Sequence, residues 1–599
     1  MSAGEARKTI MMSDRQRMTT RARARHAIMA AMAASLALAA CSQSAPGMRS
    51  AAEPVAAPAA PMSALGSYLA ARHAQQQRDY PRAAEYMSRT LTDDPDNNDL
   101  VRRTFVLRVS EGRVDEAVPL ARRIVAQDHG AGLAQIVLIL QDAKGGDFAA
   151  ALQRARLLPS DGAQRLSAPL LIAWCEVGQQ HRAQAAQALD ALNDVRGVQT
   201  LRDLHAAMIA DYADRIGEAD EAYKKLIAGQ AQPTWRAVEV AGNFYERHQR
   251  SQEARRLYEG LADSEQGLAV VQPALQRIAR GDVPPRLISS PQDGMAEALF
   301  DLASILDQRE TLDASLIYAR LALALRPDFP LAQMLVAEIE EDQKHTAEAL
   351  AVYRGIDGKS TLSWTARLRS AQALDILDRT DEAAGELKRM AAERPKDPEP
   401  LVELGDILRG RSRFGDAVDA YDQAIARVAH PEARHWRLFY SRAVALERAG
   451  QWPRAEADLR HALQLQPEQP LVLNYLGYSW IDKGQNLEAA LKMIQRAVEL
   501  RPNDGYIVDS LGWAYYRLGD FGNATQILEH AIELLPEDPT VNDHLGDAYW
   551  RSGRLAEARF QWRRALQFKP EADEIKTIET KLDRGPAARP PSGTSTRGE

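Results

Sequence analysis

Cysteine is nearly absent: the 599-residue chain holds two, Cys41 and Cys175. Two cannot build a disulfide framework or the four-ligand set of a structural zinc site. Aromatic residues are scarce at 6%, so a local cluster of them carries information. An excess of positive charge is also missing. The formal net charge is -7, which argues against attraction to nucleic-acid phosphates. The apolar run from Ala27 to Ala40 falls short of the about 20 residues that a membrane-spanning helix needs. What is present is ordinary for a soluble protein, 45% apolar and 26% charged residues. The length exceeds what one core fills and points to several domains or a long array.

The N-terminus stands apart from the fold. The stretch "RARARHAIMAAMAASLALAAC" has a basic region, a short apolar run and then small residues, the order of a secretory signal peptide over residues 1–40. Its end, Leu38-Ala39-Ala40-Cys41, resembles the bacterial lipobox. That resemblance implies cleavage before Cys41 and lipid on its sulfur and amino group. An ordinary signal peptide with an incidental cysteine is the alternative. In the enterobacterial sorting rule an Asp after the cysteine retains a lipoprotein at the inner membrane. Here Ser42 follows, which points to the outer membrane, facing the periplasm, with inner-membrane anchoring left open. Cleavage removes seven basic and two acidic groups, so the mature chain carries -12. Residues 41–63, rich in Ala, Pro and Ser, read as a flexible tether, and 585–599 as a disordered tail.

Between them the chain repeats itself. Ala83, Ala117, Ala151, Ala185 and Ala219 stand 34 apart, and Ala254 follows 35 on. After a break come Ser315, Ala349, Ala383 and Ala417, then Ala455, Ala490, Ala524 and Ala558. A second column of small residues lies twelve earlier in most repeats, among them Ala173, Gly242, Gly405, Gly512 and Gly546. Two antiparallel helices approach closely only where small residues meet. Val508, Leu511, Gly512 and Tyr515 give the first helix its stripe, and Ala524, Leu528 and Ala531 the second. One pair cannot cover its own apolar faces, so neighbours stack into a solenoid.

Leu545-Gly546, Tyr549, Ala558, Trp562 and Pro570 match the signature of the tetratricopeptide repeat, which the chain resembles over roughly residues 64–572. The resemblance implies an all-α, right-handed α-solenoid of about fourteen helix pairs. The register break around "GDVPPRLISSPQDG" divides it into two superhelical blocks: 64–268, then an irregular joint at 269–295, then 296–572. Residues 573–584 follow as a cap helix, with Ile575, Ile578 and Leu582 on one face.

Catalytic chemistry finds no footing. In "GIDGKST" two residues separate Gly355 from Gly358 where a P-loop needs four. His430 and His435 lack further ligands at metal spacing, and Cys175 in "LIAWCEVG" reads as a small buried hydrophobe. The repeats leave no stretch long enough for a catalytic domain. The expectation is a non-enzyme with no cofactor and no metal.

The aromatics left over after the repeat is satisfied point to a partner. Asp509, Trp513 and Tyr516 stand at i, i+4 and i+7 on the stripe expected to face the inside of the superhelix. The next repeat places Asp543, Asp547 and Trp550 there, and the two preceding ones Asn474, Tyr478, Ile481 and Tyr440, Val444, Glu447. With Arg517 and Arg551 at the edge, these form a candidate protein-binding groove of hot-spot composition. Packing between adjacent first helices is the competing reading. The tandem "LGWAYYRLGD…HLGDAYWRSGRLAEARFQWRRAL" is similar to proteobacterial tetratricopeptide lipoproteins that act as adaptors for periplasmic carboxyl-terminal processing proteases. That resemblance, strongest over about 470–570, implies such a protease and its substrates as partners, with membrane contact through the lipid anchor only and no nucleic acid. An assembly factor for outer-membrane biogenesis or polysaccharide export is the alternative.

Overall fold

The computed structural model describes residues 63–586 apart from 263, 264, 309 and 571. The signal peptide, Cys41, nearly all of the tether and all but the first two residues of the tail lie outside the described residues. Among those described there is no strand, and thirty α-helices run from Ala64 to Arg584. Twenty-eight of them form fourteen pairs. The other two are Glu265–Arg280 and the cap helix Ala572–Arg584.

The small residues hold the pairs together as their spacing predicts. Every position of the alanine column, from Ala83 to Ala558, is 0% exposed. Its one serine, Ser315, satisfies its hydroxyl by donating to the Ala303 carbonyl at 2.8 Å. In the companion column glycine makes room for a ring. A Cβ on Gly405 would lie 2.5 Å from Tyr421, and one on Gly546 2.5 Å from Trp562. In thirteen of the fourteen pairs the turn passes through a left-handed residue: glycine at 112, 146, 450, 484, 519 and 553, and Arg78, Gln180, Asp214, Gln249, Lys344, Asp378 and Ser412 in the others. Each non-glycine there costs roughly 1–2 kcal/mol, which pair packing offsets.

The break in register is not a break in the core. One buried cluster runs from Ala71 to Ile339, across the joint. The helix Pro291–Ile305 packs against Gln164–Gly178 and Gln199–Tyr212 of the first block. Gly294 lies under Trp174, where a Cβ would come within 2.2 Å of the indole. The Trp174 Nε1–H donates to His205 Nδ1 at 3.0 Å, which leaves His205 Nε2 to donate to Asp301 at 3.0 Å. Glu297, 0% exposed, accepts from Arg236 Nε at 3.1 Å and lies 3.5 Å from Arg326. The Tyr80 hydroxyl donates to Asp313 at 2.9 Å, tying the first pair to the helix Leu312–Leu325. The first block is thus closed by the chain that follows it.

The stretch expected to be irregular, 269–295, is irregular only from Gly281 to Ser290. Val271 and Ala274 are buried on a helix that runs to Arg280. A new helix starts at Pro291, where the Ser290 Oγ accepts from the Asp293 N–H at 3.1 Å and the Asp293 carboxylate accepts from the Ser290 N–H at 2.9 Å.

Candidate functional site

Four first helices carry the predicted residues: Trp436–Arg448, Pro470–Lys483, Gly505–Leu518 and Pro539–Arg551. Leu438, Leu476, Leu511 and Leu545 are buried in the core that these helices share with their neighbours. That fixes the neighbouring stripe on the wall formed by successive first helices. Tyr440 packs edge-on against Tyr475 of the next helix, with centroids 5.8 Å apart, and lies 6.1 Å from Trp436. Burial raises its phenol above the usual range. The Tyr478 phenol is pushed up to about 12, first by burial and then by the Asp509 and Asp482 carboxylates. Asn474, one turn before Tyr478, has a buried Oδ1 that accepts no hydrogen bond among the described residues.

Charges on this wall are compensated within the chain. Arg517 donates to the Asp482 carboxylate at 2.8 Å and to its carbonyl at 3.0 Å. Lys483 lies 3.8 Å from Glu447, which also accepts from the Tyr475 hydroxyl at 3.4 Å. Asp509 is 7% exposed and accepts from His544 Nδ1 at 3.0 Å. Burial opposes charge on His544, but the carboxylates of Asp509, Asp543 and Asp547, Asp509 foremost, together raise the imidazole. The His544 ring stacks on Trp513 with centroids 4.0 Å apart, and Tyr516 stacks on the same indole at 4.7 Å. Trp513 therefore spends ring area on two neighbours. Burial, then Asp547, raises the Tyr516 phenol against the nearby Arg551 and Lys581.

The last repeat departs from expectation. Asp543, Asp547 and Trp550 are engaged by the cap helix and not left open to a partner. Lys581 Nζ donates to Asp543 at 2.7 Å and to Asp547 at 2.9 Å. Asp547, 3% exposed, also accepts from the Trp562 Nε1–H at 3.1 Å. Burial pushes its carboxyl up to about 6 although Lys581 pulls the other way. Gly585 sits on Trp550, where a Cβ would come within 2.3 Å of the ring. A solenoid end needs covering, and these three residues bind the cover. Sequence reasoning missed His544 and Lys581. His544 stands 35 residues after Asp509, one repeat away, which is the signal that could have found it.

Other candidate chemistry is spent on structure. Cys175 is 0% exposed, and burial pushes its thiol up to about 12, far from a reactive thiolate. A cavity of about 470 Å³ lies between the first pairs and the helices that close them. Its Glu340 is paired with Arg320 at 2.8 Å and His345 at 2.9 Å.

A tetratricopeptide-repeat profile matches residues 68–132, 402–449, 440–505 and 510–573. Over those residues the chain carries tetratricopeptide repeats. A TPR repeat-containing protein of Pseudomonas aeruginosa is 30% identical over 193 residues, 32% of each chain. A tetratricopeptide repeat-containing protein of Caenorhabditis elegans is 28% identical over 200 residues, 33% of this chain and 23% of the other. The chain thus spans a third or less of the length of these relatives. Among solved structures, the Cut9–Hcn1 hetero-tetramer of the APC/C aligns at 15% identity and TM-score 0.36, over 87% of this chain and 96% of that one. Tetratricopeptide scaffolds bind proteins, and no catalytic family accompanies the repeats among these matches.

Proposed function

We propose that this tetratricopeptide protein is a scaffold whose partner lies along the first-helix wall from Trp436 to Leu518, held at the outer membrane by lipid on Cys41. The observation that carries the reading is the row of half-buried rings on successive first helices, Tyr440, Tyr478 and Trp513. The charges beside them are already paired within the chain, Arg517 with Asp482 and Lys483 with Glu447, so the wall suits a weakly charged segment. The partner in this reading is a periplasmic carboxyl-terminal processing protease, and the scaffold brings a substrate to it. Support comes from the resemblance of the tandem around Trp513 and Trp550 to adaptor lipoproteins. The test mixes the purified chain with such a protease and a folded substrate. The reading expects a stable complex and faster degradation. No complex and an unchanged rate would remove the protease assignment while leaving the scaffold itself to be tested separately.

A further inference from the structure

The irregular linker between the two helical blocks is held like a ligand. Residues 282–290 are not helical. Pro284 is buried, Ile288 is 4% exposed, and Leu287 packs against the core. The main chain is gripped by a side chain: Asn243, itself 5% exposed, donates its Nδ2–H to the Pro285 carbonyl at 2.8 Å. The Asn243 Oδ1 accepts from Arg247 Nε at 2.9 Å, and Arg247 donates in turn to Asp211 at 2.5 Å, so side chains outside the linker orient the amide. Arg286 fills a socket at the C-terminal end of the helix Gln199–Tyr212. Its guanidinium donates to the Tyr212 carbonyl at 3.1 Å and to the Asp214 carboxylate. A cation at a helix C-terminus is also favoured by the helix dipole.

Asn243 occupies a telling register. It stands one residue past Gly242 in the small-residue column, as Trp513 stands one past Gly512 and Tyr478 one past Gly477. The stripe that the second block presents on its wall is, in the first block, already wrapped on an extended segment. The contacts define a chemistry: a proline pair, which lacks N–H donors and favours extended backbone, a carbonyl for the amide, an arginine for the carbonyl–carboxylate socket, and an aliphatic side chain two residues on.

We propose that the wall of Gln199–Tyr212 and Trp235–Arg247 is a peptide-recognition site for an extended Pro-Pro-Arg-x-aliphatic segment, with residues 284–288 as its resident occupant, exchangeable for such a segment on a partner protein. This site is separate from the wall at Tyr440–Trp513 and does not depend on the protease reading. Tethering gives the resident segment an effective concentration on the order of mM, so an outside segment enters only when the tethered one is weakened.

The probe is a fluorescein-labelled synthetic peptide of residues 281–291, followed by polarisation. The wild-type chain should leave the peptide free up to about 100 μM, a tenth of that effective concentration. The full chain carrying Arg286→Ala and Ile288→Ser should bind it. Adding Asn243→Ala should weaken that binding at least about fivefold, the loss expected for one hydrogen bond. A peptide with Glu in place of its arginine should not bind. Circular dichroism checks that the variants fold. If the double variant loses helicity, Arg286→Ala alone takes its place, with the same peptides and the same Asn243 control. A folded variant that ignores the peptide, or takes the Glu peptide equally well, overturns the proposal. So does a wild-type chain that binds as tightly as the variant. Light scattering adds a further decision: a dimer formed on weakening the linker would show exchange between copies and overturn the assignment to a partner protein.

Discussion

Replacing Lys581 with Met should loosen the end of the solenoid and little else. The substitution keeps the aliphatic stem but removes the ammonium that bridges Asp543 at 2.7 Å and Asp547 at 2.9 Å. Removing one partner from a buried pair typically costs about 3–5 kcal/mol. The lower end applies here, because Asp547 already sits near 6 with Lys581 in place and can take up a proton. A loss of about 3 kcal/mol is roughly two decades in an opening equilibrium. In a solenoid the loss stays with nearest neighbours. Amide exchange at pH 7 should therefore quicken about a hundredfold in 572–584 and in 539–551, with 64–260 unchanged. The effect must also depend on pH. The folded-state pKa of Asp547 is raised, so this carboxyl favours the fold when protonated and weakens it as pH rises through about 4 to 6. At pH 5 the variant should regain much of its protection, and Asp547→Asn in the variant should restore part of it at pH 7. His544 acts in the same direction at higher pH. Its raised pKa gives a contribution that is full below about 6.5 and is lost as pH rises through the folded value. Unchanged exchange in the cap, or loss spread evenly over the chain, would refute the reasoning.

Three further outcomes are expected. Metabolic palmitate should label the wild-type protein and not Cys41→Ser; equal labelling contradicts lipidation at Cys41. Gly512→Val should cost about 1–3 kcal/mol, because even a Cβ there lies 2.5 Å from the buried Leu528, and hydrogen exchange should rise around 505–570 before it rises in the first block. A thiol reagent at pH 8 should leave Cys175 unmodified in the folded chain and modify it on unfolding, as a fully buried thiol raised to about 12 requires; rapid labelling of the native chain would contradict its burial.

The pairs were legible because a tight helix crossing demands small residues, and that demand recurs every turn of the array. The aromatic partners of those crossings, Tyr421 beneath Gly405 and Trp562 beneath Gly546, follow from the same spacing. The closure of the first block was not legible. Periodicity shows that a helix has an apolar face but not whether a neighbouring pair or a distant helix covers it. Trp174, one residue past Ala173, is where a sign stood: a large ring at the place Trp513 occupies, matched to Gly294 far along the chain. The last repeat was misread for the same reason. Asp547 looks like a wall residue by register, yet Trp562 and Lys581 turn it inward. Of the cap residues expected on one face, Ile578 is 2% exposed and Leu582 half-buried, whereas Ile575 is 36% exposed, because Lys581 and not a third apolar group completes the contact.

The central claim is that protein partners bind the wall between Trp436 and Leu518. Its direct test is quantitative capture of a purified partner by the wild-type chain and by Tyr440→Ala/Tyr478→Ala, with thermal melting of both. Each ring is half-buried and lies outside the alanine and glycine crossings. Truncating a hot-spot ring typically costs at least about 2 kcal/mol, or roughly thirtyfold in affinity. The account predicts that capture falls by more than thirtyfold while the melting temperature moves by no more than a few degrees. Full-strength capture by the folded double variant, or a loss of capture only in step with a lowered melting temperature, would contradict it.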